Sequence, residues 1–435
     1  MSDCMVIGGG LAGVEAAAQL SRAGFRVTLC EMKPVRFSPA HHSENLAELV
    51  CSNSLKAERL ESAAGLLKRE MAMLGSVCVE AAYTCRVPAG GALAVDRDLF
   101  SEEITRRICA DPNITVQRRE ITEIPTDRPV IVAAGPLASE ALSESIRALC
   151  GDALSFFDAA APIVTAESID MDSAFGASRY DRGGDEDYIN CPMDKAEYEA
   201  FYDALVHAER AQLHAFEKGK DVYEGCMPIE VMAQRGADTI RFGPLKPVGL
   251  RDPRTGHRPW AVLQLRRENA AGTLYNLVGF QTNLKFGEQK RVFSMIPALR
   301  NAEFVRYGVM HRNTFLNAPE TLCSDFSVRT HPQVYFAGQI TGVEGYMESA
   351  ASGMLAGLNL ARRLRGRAPF LPPEETMLGA LCRHVAEPTK NYQPMGANFG
   401  ILPPIEPRIR DKKQRYAAIA DRAVRAMEKA VAALN

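Results

Sequence analysis

Two cysteines stand where a thiol could do chemistry. Cys51 lies in "LVCSNSLKAE", after an apolar pair and just ahead of Ser52, Asn53 and Ser54. Cys226 lies in "YEGCMPIE", between Gly225 and Met227-Pro228, ahead of an expected helix. Neither has another cysteine two or three residues away, so neither belongs to a C-x-x-C redox motif. A thiol of this kind is idle, half of a distant pair, or a nucleophile. The nucleophilic form is the thiolate, which positive charge and helix N–H dipoles favour. Ser52, Asn53 and Ser54 are helix-capping types, which predicts a helix start beside Cys51. A third candidate is His311, in "MHRNTF", a histidine followed directly by arginine.

These side chains need a scaffold, and the first fifty residues suggest one. Cys4–Ile7 reads as a buried strand that runs into Gly8-Gly9-Gly10-Leu11-Ala12-Gly13. Val14–Ala23 has helical composition and stops at Gly24. Phe25–Cys30 reads as a second strand, with Glu31 at its end. This is G-x-G-x-x-G in its proper setting: strand before, helix after, and an acid about 20 residues on. Gly8 allows the tight turn, Gly10 the approach of a pyrophosphate, and Gly13 the packing of helix on strand. Backbone N–H groups of the helix start, near Leu11 and Ala12, receive the phosphates. Glu31 is placed to accept from a ribose diol. Two later strands also end in glycine: "PVIVAAG" at Gly135 and "QVYFAG" at Gly338, the latter followed by Gly342 and a small-residue helix. That layout resembles the two-dinucleotide-binding flavoproteins, so FAD is expected. No second complete glycine motif exists for a permanent NAD site, and a nicotinamide would visit transiently.

The expected fold class is α/β, with a Rossmann-type FAD-binding domain over 1–155 and 330–435 and an inserted α+β domain over 156–329. The 435 residues are 46% hydrophobic and 24% charged, which suits a globular chain of two or three domains. Met1–Asp3 opens no signal peptide, and the apolar run near Val130–Ala138 is too short to span a bilayer. Eleven scattered cysteines argue against a disulfide scaffold and a zinc site, and for a reducing cytoplasmic setting. Most should be buried, including Cys4, Cys30, Cys78, Cys109, Cys150, Cys323 and Cys382. Net charge is −2, yet Lys246–Arg312 carries twelve Lys/Arg against four acids, and Glu406–Asn435 eight against four. These basic stretches neighbour Tyr275, Phe280, Phe286, Tyr307 and Phe315. Basic charge beside aromatics suits a phosphate-bearing polymer that stacks its bases.

Longer blocks carry a resemblance that runs almost end to end. "CSNSLKAERLESAAGLLKREM", "VPAGGALAVDRDLF", "YINCPM", "GCMPIE", "FGPLKPVGL", "GFQTNLKFGEQKRVFSMIP", "RYGVMHRNTFLNAP" and "FAGQITGVEGYMESAASGMLAGLNLA" resemble the methylenetetrahydrofolate- and FAD-dependent tRNA (uracil-5-)-methyltransferase family. The last block is also similar to the related flavoprotein that modifies wobble uridine. That relative is longer and lacks the "CSNSL" and "HRNTFLNAP" text. One departure is "AAGPLAS", where the family usually has Thr before the glycine.

The resemblance implies 5-methyluridine formation in the T loop of tRNA, with methylenetetrahydrofolate as carbon donor and FAD reduced by NAD(P)H. The flavin is expected to relay the methylene group. Carbon C5 of uracil is a poor nucleophile, and a thiolate adding at C6 makes it an enolate carbon. The family match marks both Cys51 and Cys226. Cys226 is assigned as the attacker and Cys51 as its partner, with the reversed order left open. His311 corresponds to a family histidine lying against the folate pterin. Arg97, Lys285 and Tyr346 are expected to line the same cleft. The implied partners are tRNA and the folate, with no metal and no membrane, and the chain is taken as a monomer or homodimer. Competing readings are the same chemistry on ribosomal RNA, a wobble-uridine enzyme, and an RNA-folding aid.

Overall fold

Short apolar runs buried on both faces favour parallel strands, and such runs form the centre of a five-stranded first sheet whose edge strand Ile114–Arg118 is only half-buried. The computed structural model describes residues 3–151, 154–181, 184, 187–211, 227–308, 310–389 and 392–434. The sheet order is Val334–Phe336, Val130–Val132, Asp3–Ile7, Arg26–Glu31 and Ile114–Arg118, all parallel. The helix Leu11–Arg22 begins within the glycine motif, three residues ahead of its expected start, and nearly all of it is buried. It lies against Tyr346–Leu364, the small-residue helix. A Cβ on Gly353 would sit 2.0 Å from the Ala12 carbonyl oxygen, so small residues there set how closely the two helices cross.

The helix predicted beside Cys51 does not form. Ser54–Ala57 is a strand, paired antiparallel with Ala92–Val95, which also pairs with Arg86–Val87. The capping types are used otherwise. Ser52 Oγ accepts from the Ser54 N–H at 3.1 Å, and Asn53 Nδ2 donates to the Val95 carbonyl at 2.9 Å. Such local and cross-chain bonds compete with helix formation.

The inserted portion carries a six-stranded antiparallel sheet. Its order is Phe175–Gly176, Tyr188–Met193, Ala261–Arg267, Leu274–Leu277, Ile163–Thr165 and Phe304–Arg306. A separate apolar core runs from Val164 to Ala302. A ladder of Leu154–Ala159 and Met310–Phe315 carries the chain in and out. Phe315, Leu316, Phe326 and Val328 pack in the first core, although the sequence placed 329 as the end of the insert. The insert's helix Lys195–Val206 is started by a capping box of Asp194 and Glu197. The basic C-terminal helix, Lys412–Ala432, buries Ile419, Ala420, Ala423 and Met427, so one face is structural. Among the described residues no helix is long and apolar enough to cross a membrane, and no cluster suits a metal ion.

Candidate active site

The glycine motif forms one wall of a cavity that opens to solvent. Gly8 (φ +102°) turns the chain under Ala133, and a Cβ on Gly13 would lie 1.8 Å from the Gly8 carbonyl oxygen. Only glycine fits there. Gly10 faces open space, with nothing within 4 Å of its missing Cβ, and it starts a helix that no side chain caps. An uncapped helix start behind open backbone suits a phosphate. Glu31 Oε2 accepts from the Gly9 N–H at 2.7 Å, and Oε1 from the Lys33 N–H at 2.9 Å. Its carboxylate therefore holds the loop, with lone pairs left for a diol. Gly8, Gly10, Leu11, Ala12, Glu31, Gly135, Gly338 and Tyr346 line the cavity. Gly9 and Gly13 stand behind its wall, and Gly342 packs against the Tyr392 ring. The lining fits a dinucleotide.

Cys51 sits beside this cavity, one residue from Val50, which lines it. It is half-buried. The Tyr346 hydroxyl accepts from the Cys51 N–H at 2.7 Å and from the Ser52 N–H at 3.1 Å. Burial raises the Tyr346 phenol, so it stays protonated. The four residues flanking Cys51 are each held by a guanidinium. Arg97 donates to the Leu49 carbonyl, and Arg306 to the Val50 carbonyl at 2.6 Å. Arg266 donates to Ser52 Oγ at 2.7 Å and to Asn53 Oδ1 at 2.9 Å. Arg97 also ion-pairs with Glu268. Burial opposes the Arg97 charge, but Glu268, Tyr346 and Cys51 together outweigh it and its pKa stands raised; burial lowers Arg266 and Arg306, which remain cations. All three interact electrostatically with the Cys51 thiol. The positive charge that the sequence assigned to helix dipoles is supplied by arginines.

The family model described as glucose inhibited division protein A matches residues 3–368. The protein named "Methylenetetrahydrofolate--tRNA-(uracil-5-)-methyltransferase TrmFO" of Desulfitobacterium hafniense (strain Y51) is 58% identical over 435 residues, 100% of this chain and 99% of that one. The chain belongs to the TrmFO family. The TrmFO protein of Geotalea uraniireducens (strain Rf4) is 59% identical over 420 residues, 96% of each chain. A solved structure of Aquifex aeolicus GidA superposes with a TM-score of 0.71 at 17% identity, covering 99% of this chain and 73% of that one. The expected Rossmann-type α/β fold is thus shown.

Cys226 lies outside the described residues; nearby, Met227 is buried and the Ile229 N–H bonds the Gln281 carbonyl at 2.7 Å. His311 is on the ladder strand opposite Asp158. Lys285 is exposed and paired with Glu209 at 2.5 Å. Cys4, Cys30, Cys78 and Cys382 are buried as expected, but Cys109 is exposed and Cys150 and Cys323 only partly covered. Tyr275, Phe280 and Phe315 are core residues, which leaves Phe286 and Tyr307 as the accessible aromatics. Sequence reasoning missed Arg266 and Arg306. A signal existed for the first: "AVLQLRR" is an apolar, buried strand that ends in two arginines.

Proposed function

We propose that this protein transfers a one-carbon unit from methylenetetrahydrofolate to C5 of a uridine in the T loop of tRNA, giving 5-methyluridine, with FAD reduced by NAD(P)H. Family membership supports the reaction class. The observation that carries the reading is a thiol beside a dinucleotide cavity, its loop fastened by one phenol and three guanidinium groups.

Gly10, the uncapped helix start and Glu31 would hold FAD, which when bound supplies the hydride that completes the methyl group. Cys226 adds as thiolate to uracil C6, which puts the electron pair on the ring enolate; C5 then bonds to the methylene carbon as that carbon's bond to the folate nitrogen breaks, and removal of the C5 proton expels the Cys226 thiolate from C6. Cys51 acts as the partner thiol that takes or returns a proton. Arg97, Arg266 and Arg306 favour its thiolate, because positive charge stabilises the anion. Tyr346 fixes the backbone on which that thiol is carried.

The test is nucleoside analysis of unmodified tRNA and ribosomal RNA after incubation with the FAD-loaded protein, NADPH and methylenetetrahydrofolate labelled in its methylene carbon. Labelled 5-methyluridine in tRNA is expected, and none with Cys226→Ala. Label confined to ribosomal RNA would change the substrate, and label in neither would overturn the reading.

A further inference from the structure

The edge strand Phe304–Arg306 serves two surfaces at once. A bulge separates Phe304 from Arg306 in its pairing with Ile163–Thr165. Bulges re-aim side chains, and they concentrate at sheet edges and next to active sites. Arg306 reaches the Val50 carbonyl at the Cys51 loop. The next residue, Tyr307, belongs to an aromatic ladder. Its ring stacks on Phe304 at 5.5 Å and 10°, and on Phe286 at 4.9 Å and 15°. Phe286 ends the ladder and is 55% exposed.

An exposed phenylalanine that ends a parallel stack needs a reason, and three observations give one. The stack is rigid: buried Gln289, on the Phe286–Phe293 helix, accepts from the Gly308 N–H at 2.8 Å and donates to the Gly308 and Leu284 carbonyls at 2.8 and 2.7 Å. Its surroundings on the same helix are cationic, with Lys285, Lys290 and Arg291 all exposed. Only Lys285 and Arg291 of these have a carboxylate within ion-pair distance among the described residues. It is also continuous with the reaction site through Arg306.

We propose that the Phe286 face is a stacking platform for an unpaired nucleobase of the substrate RNA, adjacent in the chain to the uridine being modified. The inference rests on the RNA-methylating reading and adds to it the means of holding the flanking nucleotide. A base has a flat π face whatever its identity, and the next member of a ladder is what such a face completes. Lys290, one turn along the Phe286 helix, is then placed for a backbone phosphate. A protein partner would instead call for a larger contiguous apolar surface.

The experiment compares Phe286→Ala and Phe286→Trp with the wild type, first confirming that the variants melt alike and bind equal FAD. Binding is measured with a tRNA transcript, and turnover as KM against kcat. The alanine variant should weaken RNA binding and raise KM about five- to 150-fold, the loss typical of one stacked base, with a smaller change in kcat. Tryptophan should restore binding, and its fluorescence should be quenched by RNA beyond any change in Trp260, the one natural tryptophan. Unchanged affinity in the alanine variant with no quenching overturns the platform, even where RNA methylation is observed. Normal RNA binding with no methylation in the wild type would refute the proposed reaction and leave the platform to be judged by the binding arm. Loss of a protein contact with RNA affinity intact would assign the face to a protein partner and overturn the proposal.

Discussion

Tyr346→Phe removes one oxygen and keeps the ring. That oxygen accepts two backbone N–H bonds, from Cys51 at 2.7 Å and Ser52 at 3.1 Å. Each such bond contributes about 1 kcal/mol net, so the loop loses roughly 2 kcal/mol of hold. In population terms this is about a thirtyfold shift toward a released loop. The flanking arginine bonds remain, so the loop loosens without unfolding. The ring still lines the cavity, so flavin binding should be retained. The assay is the alkylation rate of Cys51 by iodoacetamide, with Cys51→Ser used to subtract the other thiols, alongside single-turnover methyl transfer. Faster alkylation and slower transfer are expected, by factors of about ten to a hundred. A FAD-loaded variant that alkylates and transfers at wild-type rates would show that the hydroxyl does not hold the loop.

Arg306→Met should raise the pH midpoint of Cys51 alkylation by about one unit, since it deletes a cation beside the thiol; an unmoved midpoint would remove Arg306 from the thiol's environment. Gly13→Ala should cost about 1–3 kcal/mol through overpacking and at least tenfold in FAD affinity, because the new methyl would lie 1.8 Å from the Gly8 oxygen. Normal yellow colour at low FAD would count against that packing. Lys68 is 2% exposed, and burial lowers it from 10.5 to about 8. Between those values the unfolded chain holds a proton that the folded one lacks, so stability should climb by up to roughly 3 kcal/mol as pH rises from about 8 to 10.5. Urea melts of Lys68→Met should lack this rise, and an identical pH curve would refute it.

The glycine motif was legible because its requirements are local. A tight turn, a close approach and a helix start follow one another within six residues. The surroundings of Cys51 were not legible, because they are assembled over separations of 48, 214 and 256 residues, by Arg97, Arg266 and Arg306. The capping expectation failed for a related reason. Ser-Asn-Ser suits a helix start or a turn equally, and the choice was made by a remote partner, the Val95 carbonyl that takes the Asn53 amide. Aromatics posed the same problem. Nothing local separates Phe280, wholly buried, from Phe286, mostly exposed, six residues later. Spacing reports period, whereas burial reports which sheet lies opposite.

The Cys51 loop is also the seam between the two cores, and this bears on what the loop can do. Asn53 Nδ2 donates to the Arg267 carbonyl at 2.9 Å, and the Ala270 N–H donates to Asp96 at 2.8 Å. Further along, the Tyr188 hydroxyl reaches the Ala89 carbonyl, and the Gly90 N–H reaches Asp187, both at 3.0 Å. These contacts are polar and directional. Each contributes little net energy, but each is lost with small misalignment. Such a seam fixes orientation more than it adds cohesion. The first core supplies the cavity, Tyr346 and Arg97, and the inserted portion supplies Arg266, Arg306 and Glu268. On the proposed reading, the charge that would favour a Cys51 thiolate is complete only when the two are aligned, which ties alignment to thiol activation at this loop.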